Sequence, residues 1–208
     1  MLATIFFYSY TMTKVYSILL SLAFLHICCH SKSKTIHAEK ENKPAPVFFP
    51  VTSYLKGQIN ALSKSEVTPL KITSFQQHQD SAWLKIPDLP GIAQPFLHPV
   101  IDSVNLVKFY KESSFFDQTI NAITLSYDPI SYQQDPLALK SLVVYIDPKT
   151  NNVTRIYIEK VIATDKGNSL QQLTWKSDKW FKITTITEHE GSQPDIRDEK
   201  VIWNFDEE

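Results

Sequence analysis

His26, Cys28, Cys29 and His30 place four nitrogen and sulfur ligand types within five residues, and the two cysteines are the only ones in the chain. Imidazoles and thiolates of this kind hold zinc or copper. Closed sites, however, space their ligands by two or more residues so that the backbone can wrap the ion. A disulfide between neighbours would hold Cα atoms only about 3.8 Å apart, below the usual range for the bond. The chemistry that this cluster suits best is therefore modification of one thiol, and the residues before and after it bear on that.

Before it runs Val15 to Ile27, a 13-residue apolar stretch behind Lys14. As a helix it would rise about 20 Å, short of the roughly 30 Å hydrocarbon core, which suits the apolar region of a signal peptide better than a membrane span. Met12 is a cleaner start than Met1; translation from Met1 would lengthen the apolar stretch and allow an uncleaved anchor. The end of the run resembles a bacterial lipoprotein signal, in which a cysteine follows an apolar residue at three positions' distance with small residues between. Leu25 fits that position for Cys28, with His26 and Ile27 as poor intervening residues; Cys29 has a suitably small neighbour in Cys28 and a misplaced His26. The resemblance implies a lipid on Cys28 or Cys29 and makes residues 1–29 a signal peptide with a degenerate lipobox. Simple secretion is the alternative. Residues 30–46 lack apolar periodicity and end in closely spaced prolines, so they read as a flexible tether. The residues just after the cysteines are basic, which favours a periplasm-facing anchor over surface display.

Residues 47–208 are the right size for one domain. Catalytic signatures are missing from them: no G-x-S-x-G elbow, no H-E-x-x-H helix and no glycine-rich phosphate loop, with four glycines in the whole chain. His78 and Asp80 fall in an expected turn, His98 in a loop and Asp102 at a helix cap. Glu188, His189 and Glu190 are adjacent, so they point to alternate sides and read as a solvated cluster rather than a metal site. These residues point to no metal and no cofactor, and away from an enzyme. Paired carboxylates of a hydrolase remain an alternative, because their separation is a property of the fold.

The elements that must position any site are legible from period. Val51, Leu55, Ile59 and Leu62 form a helical stripe, with Thr52 or Ser53 as cap. LKITSFQQ and SAWLKI read as a hairpin turning at HQD, and the proline-rich PDLPGIAQPFLHPVID as isolated turns. A second helix is expected over IDSVNLVKFYKESS. Ile123, Leu125 and Tyr127 alternate as in a strand. SLVVYIDPKTNNVTRIYIEKVI and LQQLTWKSDKWFKITTIT each read as two strands, the first turning at Asp147–Pro148 with positive φ at Asn151 or Asn152. VIWNF closes the sheet as an edge strand. The fold class is α+β: an antiparallel sheet of about six to eight strands with two amphipathic helices packed on one face.

The uncovered face would carry Arg155, Tyr157 and Glu159 on one hairpin and Trp180, Lys182 and Thr184 on the next. That mixture of aromatic and charged groups could bind a polypeptide or glycan, and Trp175 with Trp83, Trp180 and Trp203 could add a sugar platform; a solvated sheet with core tryptophans looks much the same. After Cys28 the chain has 20 basic and 22 acidic residues, a net charge of −2 that excludes holding nucleic acid by charge alone. Eight Asp or Glu lie in residues 188–208, which read as a solvated terminus. The run from FFPVTSYLKGQI through FFDQTINAITLSYDP to VVYIDPKTNNVTRIYIEK resembles uncharacterised exported proteins of the Bacteroidota. The resemblance implies an envelope location and brings no activity with it. A membrane-tethered module that binds an envelope protein or other component is the expectation, with a small envelope hydrolase or a carrier of a hydrophobic ligand as alternatives.

Overall fold

The computed structural model describes residues 47–131, 137–164 and 167–206. Cys28, Cys29 and the tether lie outside them. Val51–Ser63 (α1) forms as its stripe predicts, burying Val51, Leu55, Ile59 and Leu62. Thr52 is not the cap: the helix starts at Val51 behind Pro50, and the Thr52 Oγ1 instead accepts from the Ile101 amide at 2.8 Å. Thr52 thereby ties α1 to the chain ahead of the next helix.

Nine strands follow in one antiparallel sheet: β1 Leu70–Phe75, β2 His78–Trp83, β3 Tyr110–Asp117, β4 Ala122–Pro129, β5 Leu139–Ile146, β6 Val153–Thr164, β7 Gly167–Lys176, β8 Trp180–Thr187 and β9 Asp195–Ile202. Their order is β2-β1-β9-β8-β7-β6-β5-β4-β3. The domain is α+β and rich in sheet, with more strands than its period suggests. The first hairpin turns at Gln76–Gln77, ahead of HQD, so His78 and Asp80 stand on a strand. VIWNF is no edge: its strand begins at Asp195 and lies between β1 and β8, which also draws part of the acidic tail into the sheet. The edges are β2 and β3.

Between β2 and β3 the proline-rich segment makes single turns, at Ile86–Asp88, Leu89–Ile92 (α2) and Gln94–Phe96. Ser103–Phe109 (α3) is shorter than expected and yields to β3 at Tyr110. Its start is firmly capped. The Asp102 side chain accepts from the Asn105 amide at 2.9 Å while Asn105 Oδ1 accepts from the Asp102 amide at 3.0 Å.

The apolar sides of the helices and one side of the sheet form a single core. Leu142, Val144, Ile156, Ile158, Leu173 and Val201 line the sheet. Phe96, 1% exposed, stands edge-on to Trp175 and Phe181 at 5.4 Å from each, and those two rings stack at 5.1 Å. Such contacts add to the area that the rings bury. The covered face of the sheet is therefore filled, and anything that binds a folded chain has the other face available to it.

Candidate binding face

Period two in the strands decides which residues share the uncovered face. Tyr145 pairs with Arg155 across β5 and β6, Arg155 with Lys176 on β7, and Lys176 with Trp180 on β8. In the next row Tyr157 faces Thr174, Thr174 faces Lys182 and Lys182 faces Lys200 on β9. A third joins Glu159, Gln172, Thr184 and Asp198. The fold thus brings Arg155, Tyr157, Glu159, Trp180 and Lys182 together on one side. Trp175 does not join them. It pairs with Phe181 and is fully buried on the opposite side, because the turn that opposes Lys176 to Trp180 puts residues 175 and 180 on different faces. The four tryptophans form no common platform, since Trp203 packs on Trp175 and Phe181.

Two cations on this face rest on rings. The Arg155 guanidinium lies 4.0 Å from the centre of the Tyr145 ring, and the Lys200 ammonium 4.6 Å from that of Trp180. Neither forms an ion pair among the described residues. The carboxylates are otherwise engaged. Glu159 accepts from the Tyr157 hydroxyl at 2.6 Å and from Gln172 Nε2 at 3.2 Å. Asp198 accepts from the Thr184 hydroxyl at 2.5 Å and from Lys182 Nζ at 3.1 Å. Burial, together with the Glu159 carboxylate that it serves, pushes the Tyr157 phenol well above its usual pKa, so this hydroxyl stays a donor. Tyr145, Arg155, Tyr157 and Thr174 rim a shallow recess of about 240 Å³.

Tyr145, Gln172, Thr174, Lys176, Asp198 and Lys200 belong to the face although the sequence reading did not single them out. The hairpin register held the signal for the first: pairing β5 with β6 through a turn at residues 147–152 sets Tyr145 opposite Arg155. Lys200 could not be found that way, because its strand was hidden in a charged tail.

A second polar region lies where the sheet extends past the helices. Phe75, Thr185, Thr187, Asp195 and Arg197 line an open recess of about 270 Å³, and His189 Nε2 pairs with Asp195 at 3.0 Å. The nearby hydroxyls of Ser169 and Thr187 bond to each other at 2.9 Å. The histidine and carboxylate thus flank one turn, and among the described residues no hydroxyl bonds to the imidazole, which is not the arrangement of an activated nucleophile. Among the described residues no group of three His, Cys, Asp or Glu could hold a metal, and no helix is long and apolar enough to cross a membrane.

No family model, curated protein or solved structure matches this chain.

Proposed function

We propose that the chain is exported, carries a lipid on Cys28 or Cys29, and presents its sheet-rich domain in the periplasm as a non-enzymatic module that binds a protein or another component of the cell envelope. The short apolar run, the cysteines at its end and the polar tether support the location. The observation that carries the binding role is the convergence of Arg155, Tyr157, Trp180 and Lys182 on one open face, with Arg155 and Lys200 held against rings. Aromatic and arginine side chains are the types that dominate contact energy at interfaces. The carrier alternative has less support, because Phe96, Trp175 and Phe181 fill the space between sheet and helices where an apolar ligand would go.

The test is affinity capture by the full-length chain from detergent-solubilised envelopes, comparing the unaltered protein with a double variant, Arg155→Ala with Trp180→Ala. A component held by the first and lost by the second supports this function. An unchanged set of captured components, with both proteins folded, would count against it.

A further inference from the structure

The open face is ordered for charge before any partner arrives. On β6 to β9 its carboxylates, Glu159 and Asp198, are engaged by neighbouring hydroxyl, amide and ammonium groups. On the same strands stand the cations Arg155, Lys182 and Lys200, so positive charge exceeds negative there on a domain that is otherwise slightly acidic, while Asp117 and Asp128 lie apart at the β3–β4 end of the face beside Lys111. Arg155 and Lys200 lie on β6 and β9, three inter-strand gaps or about 14 Å apart. Between them on β7 stands Thr174, which offers a hydroxyl. The row that holds Tyr145, Arg155 and Trp180 also runs the full width of the sheet, from Phe115 on β3 to Trp83 on β2, both more than half exposed. Eight gaps make that row about 38 Å long.

We propose that this face is a track for an acidic polysaccharide, whose anionic groups bind Arg155 and Lys200 while its hydroxyls bond to Thr174 between them. The proposal rests on the preceding reading of the face as the binding surface and names the class of partner. Charge complementarity selects an anion, and the fixed guanidinium presents paired donors that match a carboxylate or phosphate. The middle of the face lacks what the other acidic surfaces would need. A protein partner needs an apolar anchor at the centre of the contact, and here the centre is Thr174 between Tyr157 and Lys182. A membrane surface needs clustered protruding apolar groups, and here the central Tyr145 and Trp180 rings lie beneath cations while the exposed Phe115 and Trp83 stand apart at opposite edges of the sheet. A hydrated polymer carrying spaced charges satisfies both rows.

The full-length chain, held in nanodiscs of zwitterionic lipid, is tested for binding to polygalacturonate, to neutral dextran and to vesicles of phosphatidylglycerol. The expected result is retention by polygalacturonate alone, weakening as salt screens the contacts. Replacing Arg155→Gln and Lys200→Gln together should weaken retention by about tenfold without lowering the unfolding temperature. Thr174→Glu, which removes no ring contact and sets a negative charge at the centre, should do the same. Equal retention by dextran, stronger binding to the vesicles, or indifference to both sets of substitutions would overturn the proposal. So would envelope capture that depends on Arg155 and Trp180 in a chain that ignores polygalacturonate; that result would leave the binding face standing and remove only the polysaccharide.

Discussion

Lys160 stands on the covered side of β6, 4% exposed, between Leu139 and Gln171 in the ladder. Its ammonium donates to the carbonyls of Pro95, at 2.5 Å, and His98, so a cation joins the buried Leu89, Ala93 and Phe96 in holding the proline-rich segment on the sheet. Burial lowers its pKa from 10.5 to about 8. Between those values the unfolded chain keeps a proton that the folded chain has lost, so stability rises as pH increases from about 8 to 10.5 and falls as the amine recharges on the way down. Lys160→Met should abolish that rise, which denaturant unfolding of both proteins across the same pH range will measure. On the other side of the sheet, Thr124 is 3% exposed between Phe115 and Tyr145, and its hydroxyl has no hydrogen-bond partner among the described residues. Thr124→Val keeps the shape and removes the unmet group, so it should raise stability by about 1 kcal/mol in the same assay.

Among the elements, the segment from Ile86 to Pro99 has Phe96 as its largest buried side chain. Phe96 sits against both Trp175 and Phe181, with Leu89 and Ala93 also fully buried ahead of it in the chain. Phe96→Ala should cost about 3–5 kcal/mol, with Phe96→Leu well below that, as read from equilibrium unfolding. Period predicted the elements whose two faces differ, α1 and β4 to β8, and the Asn151 φ of +58° matches the turn chemistry of its loop. Two strands escaped for physical reasons. β3 is an edge with both sides largely open, so KESSFF shows no alternation to read. β9 begins where the sheet outruns the helices, so Asp195, Arg197 and Glu199 face the covered side without an apolar requirement and the strand resembles a solvated tail. The candidate face was legible wherever a hairpin fixed the register. It was misread at Trp175, where only the length of the turn decides which side the ring takes.

For the molecule as a whole, a tether would strengthen what the open face can do. A sheet face that binds through a few exposed contacts gains from being confined near its partner, because tethering raises the effective concentration that those contacts experience. The length of residues 30–46 would let the domain reach a few tens of Å from an anchored cysteine. Cys28 and Cys29 each meet half of the lipobox pattern, and only one can become the acylated N-terminus after cleavage. Single substitutions separate them. Cys28→Ser and Cys29→Ser should differ sharply: one variant moves to the soluble periplasmic fraction or keeps its uncleaved signal, while the other remains in the membrane and yields an acylated N-terminal peptide by mass measurement. If Cys28 is the acceptor, the mature chain begins with two cysteines; if Cys29 is, His30 follows the lipid directly and Cys28 leaves with the signal. Wild-type behaviour in both single variants, with an intact N-terminus at Met1 or Met12, would remove the tether and leave the open face to hold its partner by its own contacts.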